Sequence, residues 1–576
     1  MTFAPIVLAS ALLAAPAPAQ EAHAPLWNHQ ELEQHLHQLA DAHPGLVSVV
    51  RVGSSRAGRR IEGLCLCAGE RTPGRPAILV VANVDGPWVW TSTLALEHAR
   101  LLAERYTQDE RVRKLLDTTT LYVIPRADPD AAEARFATPL LEQRASGHGV
   151  DDDRDGREDE DPPADLDGDG LVTTLRVASP EGEWIEDPTD ARALIRADAK
   201  KGQRGKWKLW TEGRDLDHDE RVAEDQKLDA VVNENFPQGW REGDAQAGRY
   251  ATDEPPARAL CDFLLLHKDV ALVLTYGAQD DLVEKPRTVA DGAPRVKLVP
   301  QEGTLESDGE LYAEIGKTYR KLTASKAKGD NDEHGSFQAW CRDQRGLWCL
   351  NVAGWTLPLD EPAPKQEEAK KDGAKPDDAA QGEAKKGEPK KEDAPEPGDD
   401  AKRLRWIDAH HEGARFVAWH AFQHPELGAV EIGGFAPYAR IEPPEAERLE
   451  IQKKELEFLL GLPELLPRVA LAECTAKSLS GGLWEIEAAV ENRSLLPFAS
   501  AAARRADSVR PARVSLRLPK DARLVAGNAE ELVEDLPGIR GRREFRWLVH
   551  GAAPKSIGVE VETDHAGHAQ AIPEVK

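Results

Sequence analysis

Four unbroken apolar runs constrain this chain's fold most: Ala77-Ile-Leu-Val-Val-Ala-Asn83, Thr120–Pro125, Val270–Thr275 and Gly346–Val352. A strand that is apolar at successive positions is buried on both faces, which requires helices above and below it. Helical periodicity supplies them at 30–42, Thr91–Tyr106, 255–267 and 308–325, and a further strand-like run, Ile61-Glu-Gly-Leu-Cys-Leu-Cys67, precedes the first of the four. The expectation is a mixed sheet in an α/β/α layering. The pattern resumes late, with Phe416–Phe422, Gly428–Phe435 and a helix over 443–461. From about Pro467 the helices stop, and short alternating runs at Gly482–Val490, Ala512–Leu518, Phe545–Val549 and Ser556–Glu562 predict a small all-β sandwich.

At 576 residues the chain exceeds one core's reach, with roughly 150 residues per unit as the working prior. The division expected is 1–19 as a signal peptide, 20–466 as the α/β domain and 467–576 as the sandwich. Residues 4–15 form a short apolar run, and Ala17-Pro-Ala19 before Gln20 supplies small residues for cleavage, so a secreted or periplasmic protein is expected. No later stretch has the roughly 18 apolar residues of a membrane span. A net charge of −27 leaves no basic surface to neutralise phosphates, which excludes nucleic acid as the main partner. Six scattered cysteines are too few for a disulfide-built fold. Cys65 and Cys67 read as thiols on one strand face, while a Cys341–Cys349 bridge stays open.

Two insertions interrupt the α/β pattern. Residues 361–400 contain no Val, Ile, Leu, Met, Phe, Trp, Tyr or Cys, so they bury too little apolar surface to offset ordering entropy and read as a disordered charged loop. The other, over 151–225, is acidic, with eleven carboxylates in 151–169 alone. Asp151, Asp153, Asp155, Glu158 and Asp161, then Asp165, Asp167 and Asp169, repeat an Asp-x-Asp-x-Asp-Gly spacing that turns alternate carboxylates toward one hard cation. Asp215, Asp217 and Asp219 form a partial third copy that Asp225 closes. Twelfth positions held by Pro162 and Arg176 exclude an EF-hand, and calcium-ordered loops are the expectation.

Several motifs carry a family resemblance. Val52-Gly-Ser-Ser-Arg-Ala-Gly58, Pro125-Arg-Ala-Asp-Pro-Asp130, Asn233-Glu-Asn-Phe-Pro237, Ala247-Gly-Arg-Tyr-Ala-Thr-Asp-Glu-Pro255 and Thr275-Tyr-Gly277 together resemble the zinc carboxypeptidases of the carboxypeptidase A type, in particular a bacterial subgroup with an Asp-rich insertion and a C-terminal β-sandwich. The resemblance covers roughly Trp27 to Leu466 and implies an open tetrahedral zinc, a carboxylate base and an arginine clamp. At the positions it implies, the zinc ligands match Asp85, Trp88 and Leu274, the clamp matches Asn233 and Glu234, and the base matches Ala353. No histidine in the chain begins a His-x-x-Glu. Glu431 is the one substitute base on a strand.

The leading expectation is therefore a pseudopeptidase that expects no zinc and binds a peptide or protein, or serves structurally. Two alternatives stand beside it: an active metallocarboxypeptidase with a displaced metal site, and a calcium-dependent surface or adhesion module built on the sandwich. Within that sandwich His565 and His568 read as solvated.

Overall fold

Strand Ala77–Ala82 shows why the sheet lies inside: Ile78, Val80 and Ala82 join one apolar cluster, Ala77, Leu79 and Val81 the other, and all six are buried. The computed structural model describes residues 25–147, 160–216, 221–223, 229–292, 303–330, 332–359 and 396–576. In chain order the first strands are β1 (Val47–Ser54), β2 (Arg60–Leu66), β3 (Ala77–Ala82), β4 (Thr120–Ile124), β5 (Thr174–Ala178), β6 (Trp184–Asp187), β7 (Asp190–Arg196), β8 (Trp207–Thr211), β9 (Val270–Tyr276), β10 (Thr288–Val289), β11 (Thr304–Leu305), β12 (Trp348–Val352), β13 (Phe416–His424) and β14 (Gly428–Phe435).

The central sheet has the order β1-β2-β4-β3-β9-β12, parallel from β4 to β12 and antiparallel at the β1-β2-β4 edge. Helices His29–Ala42, Val89–Arg105, Glu306–Thr323 and Glu445–Gly461 cover one face, and Pro255–Leu266 with the 337–344 turn covers the other. The expected α/β/α layering is present. Local chemistry fixes the helix starts: Asn28 and Glu31 form a capping box, Asp109 caps Glu110–Thr118, and Pro255-Pro256 open their helix where an amide donor is not needed.

A second, antiparallel sheet was not foreseen. Its order is β13-β14-β5-β8-β6-β7, so one strand of the acidic insertion, β5, pairs with β14 more than two hundred residues later, while β6, β7 and β8 pair within the insertion. The charged insertion read as 361–400 ends earlier than expected, because Asp399 and Asp400 already belong to the helix Asp399–His410; the remainder through 395 lies outside the described residues. So does the expected signal peptide.

The C-terminal region is all-β apart from short helical turns. Nine strands follow: β15 (Val469–Ser478), β16 (Leu483–Asn492), β17 (Ala512–Arg517), β18 (Arg523–Ala526), β19 (Glu530–Val533), β20 (Gly541–His550), β21 (Gly558–Glu562), β22 (His568–Ala571) and β23 (Glu574–Val575). They form one five-stranded and one four-stranded sheet around a single apolar cluster that includes Trp547, Val514 and Val561. The sequence showed only four of these strands, since β15 alternates weakly and the others are two to four residues long. His565 is corrected as well. It is buried, stacked on Phe498, and burial drives its imidazole well below its ordinary pKa.

This region docks on the α/β layers through polar contacts at its edge. Asp308, on Glu306–Thr323, accepts from the Ala501 and Ala502 amides at 2.8 and 2.9 Å, Ser500 Oγ donates to Gly346 O, and the Gly567 amide donates to Gly74 O. Asp308 is 3% exposed, so removing it strands two buried donors. Asp308→Ala is expected to destabilise the protein by about 1–3 kcal/mol, read as a lower urea midpoint; an unchanged midpoint contradicts this account of the docking.

Candidate functional site

Parallel strands β3, β9 and β12 end side by side, and the segments leaving them converge at their C-terminal edge, where α/β folds place ligands. Asp85 sits there, three residues beyond the end of β3 at Ala82, and is buried. Its Oδ1 accepts from Asn233 Nδ2 at 2.8 Å and its Oδ2 from the Ala278 amide at 2.8 Å. Burial raises its pKa, with those two donors opposing. Asn233 is held in turn, since its Nδ2 also reaches Gln279 Oε1 and its Oδ1 accepts from the Phe337 amide.

The other positions offer no ligand atoms to this point. Trp88 caps the helix Val89–Arg105 with its indole in the apolar cluster. Leu274 is corrected: it pairs with Val80 and Leu350 in the strand interior, fully buried. The position facing Asp85 is Gly277, just past β9, where a Cβ would lie 2.5 Å from Asp85 Oδ2. Any side chain at 277 therefore collides with the carboxylate as placed. Leu274, the position the resemblance implies, lies three residues earlier, inside β9.

Ala353, at the position implied for the base, is fully buried and donates its amide to Asp280 Oδ2 at 3.1 Å. Glu234 pairs with Arg144 at 3.4 Å, and burial raises its carboxyl. Glu431 belongs to the second sheet, where Arg176 holds it by two donors from the paired position on β5.

Sequence reasoning missed the segment Gln279-Asp-Asp281. Asp280 accepts from the Leu282, Val283 and Ala353 amides, and Asp281 from the Asn351 amide and side chain. Both carboxyls are raised chiefly by burial, Asp280 to about 6. Two adjacent acids after a buried strand were the visible signal. They line a cavity of about 420 Å³ together with Gln279, Lys285, Asp332 and Glu333. Beneath it Tyr319 donates to Glu455 Oε1 at 2.7 Å, and Glu455 is pushed up to about 8 by burial, with the Asp280 charge adding and Tyr319 opposing.

Of the expected calcium residues, Asp161, Asp165, Asp167, Asp169 and Asp215 are described, whereas Asp151, Asp153, Asp155, Glu158, Asp217, Asp219 and Asp225 lie outside the described residues. Asp165 and Asp167 converge with Glu212, each giving one ligand atom within 4.8 Å of the others. Glu212 comes from the end of β8 and no spacing motif marks it. Asp165 also closes its own loop by accepting from the Gly168 and Gly170 amides, and His420 Nε2 lies 2.9 Å from Asp167. Cys65 is buried with its thiol pushed up to about 12, Cys67 is half-buried, and Cys341 and Cys349 are free thiols.

Parts of the chain are similar to known proteins. A family profile described as zinc carboxypeptidase matches residues 32–348, and a profile for a domain of unknown function matches 468–572. Carboxypeptidase D of Drosophila melanogaster is 30% identical over 128 residues, 22% of this chain and 9% of that protein. Zinc carboxypeptidase A 1 of Anopheles gambiae is 30% identical over 113 residues, 19% of this chain and 25% of that protein. The chain thus spans at most a quarter of either relative. The solved carboxypeptidase A from Helicoverpa armigera superposes with a TM-score of 0.37 at 14% identity, covering 59% of this chain and 67% of that one. Among the described residues, no helix is long and apolar enough to cross a membrane.

Raised carboxyls make a pH signature. The folded state keeps protons on Asp280 and Glu455 that the unfolded chain releases near pH 4, so their stabilising share is complete in acid and is lost as pH rises through about 6 and about 8. Stability is expected to fall from roughly pH 4 to roughly pH 8, by up to about 1.4 kcal/mol per pH unit per group. Glu455→Gln should flatten the alkaline part and Asp280→Asn the acidic part in urea titrations at each pH; a profile that both variants leave unchanged refutes the assignment.

Proposed function

Because the chain belongs to the zinc carboxypeptidase family, we propose that it is a pseudopeptidase of that family, keeping the scaffold while lacking zinc-dependent hydrolysis. One observation carries this reading: Asp85 is the sole ligand-type side chain among the implied zinc positions, and Gly277 opposite it has no side chain, with a Cβ there lying 2.5 Å from Asp85 Oδ2. Zinc needs three protein ligands and an open position. The residues present do not fit it. An activated water also needs a base, and Ala353 offers none. A displaced zinc site lacks support too, because the three-ligand convergence found among the described residues is all carboxylate, an oxygen set suited to a harder ion.

The cleft would still hold a ligand. Its cavity carries Asp280, Asp281, Asp330, Asp332 and Glu333 against Lys285 and Arg287, and Glu234 stands where the clamp would be. That balance suits a peptide presenting a basic group rather than a free carboxylate. The proposal includes a division near 466, supported by the strands from Val469 onward forming sheets of their own, and export, supported by the N-terminal apolar run. Protein purified without chelators is expected to carry zinc well below one equivalent and to release no C-terminal residue from peptides. Stoichiometric zinc, or release that a chelator abolishes, overturns the proposal.

A second reading concerns the acidic insertion, which we propose binds calcium through Asp165, Asp167 and Glu212. Their convergence supports it, as do Gly168 and Gly170, whose positive φ values of 79° and 88° bend the loop. Millimolar calcium is expected to raise the melting temperature of the EDTA-treated protein, and Asp165→Asn with Asp167→Asn to remove that shift. An equal shift in wild type and variant refutes the site.

A further inference from the structure

The second sheet holds a cavity of about 370 Å³ that shares no lining residue with the cleft cavity. All six strands of the sheet contribute to its wall. Of the sheet's strand residues, Ala193 joins the central apolar cluster and Phe416 and Phe435 pack against its edge, so most of the sheet's side chains lie outside that core.

Trp184, Phe416, Trp419 and Phe435 give the wall its rings. Trp419 is fixed in place: its Nε1 donates to Arg192 O at 2.9 Å, and the Arg176 guanidinium stacks between it and Trp207, 4.2 and 4.5 Å from the ring centres. Glu431 holds that guanidinium, so its visible work is to position an aromatic wall. Gly434, at φ +105°, keeps the space open. A Cβ there would reach within 3.4 Å of Thr174 Oγ1 and 3.6 Å of the Trp419 ring.

Four charged side chains complete the lining: Arg192, Arg440, Glu142 and Asp400. Arg440 donates to Asp400 at 2.8 Å and stacks on Phe435 at 4.2 Å. Arg192 spans Asp190 and Asp408. Glu142 accepts from the Tyr438 amide at 2.6 Å and stays accessible to solvent, yet the surrounding protein raises its carboxyl and lowers the Arg440 guanidinium. Two positive and two negative groups cancel. An anion would face two carboxylates, a cation two guanidiniums, and a purely apolar ligand would desolvate all four without return.

A neutral ring with hydroxyls around its edge satisfies every part of this wall, because hydroxyls both donate and accept while apolar C–H faces lie on aromatic rings. We propose that this cavity binds a carbohydrate, one or two sugar units in extent.

Saturation-transfer NMR and calorimetry on the full chain, with maltose, cellobiose and N,N′-diacetylchitobiose as probes, test this. At least one disaccharide is expected to bind saturably. Trp184→Ala should weaken it by about tenfold or more, and Glu142→Gln should weaken it while the melting temperature stays near wild type. Absence of binding for all three sugars, or binding that both variants leave intact, overturns the proposal. So does saturable binding of N-acetyltryptophanamide in their place, which would mark an aromatic side-chain pocket. If Trp184→Ala fails to fold, the Glu142→Gln comparison alone decides.

Discussion

The engaged carboxylate of Asp85 governs how the C-terminal edge of the central sheet is built. At the ends of three parallel strands several loops must meet, and each brings backbone and side-chain dipoles needing partners. Asp85 ties two of them, the turn carrying Asn233 and the segment leaving β9 at Ala278. Asn233 extends the tie to Gln279 and the Phe337 amide. A cation could join the same loops from a shared centre. Here one side chain does so through hydrogen bonds, and its burial without a cationic partner in contact is what raises its pKa.

The same logic recurs one layer away. Asp280 and Asp281 gather the amides of Leu282, Val283, Ala353 and Asn351, so the cleft floor is built from buried acids that accept from backbone. Such groups hold structure well, since five amide donors, four from backbone and one from the Asn351 side chain, converge on the two carboxyls. The cost is sensitivity to pH, because each charge lies where water cannot solvate it.

Much of this was legible in the sequence, and the failures share one cause. The apolar runs at 77–83, 120–125 and 270–275 gave the central sheet because burial on both faces is a local signal. That positions 85 and 88 hold Asp and Trp was equally local. Gly277, Glu212 and the second sheet were not, because each depends on what a residue faces across space: Gly277 matters through Asp85, Glu212 through Asp165, and β14 through β5. Partly exposed antiparallel strands such as Trp184–Asp187 are short and charged and so read as loop, and the pairing that joins their sheet to the later strands, β5 with β14, spans more than two hundred residues. His565 failed for a related reason. Position near the chain end suggested solvent, whereas β-strand packing placed it beneath Phe498.

The helix Glu306–Thr323 binds these parts into one unit. Its first turn offers Asp308 to the C-terminal region, its middle offers the Tyr312 hydroxyl to Cys349 O in β12, and its last turns offer Tyr319 to Glu455 and Arg320 to the carbonyls of Leu282 and Val283 beside Asp280. Four separate regions thus meet on one rigid rod. A shift of that rod would disturb the docking of the C-terminal sheets, the alignment of β12 and the floor of the cleft together. A chain that on this reading has given up catalysis still has reason to keep the whole scaffold, since no one of these regions holds its place without the others.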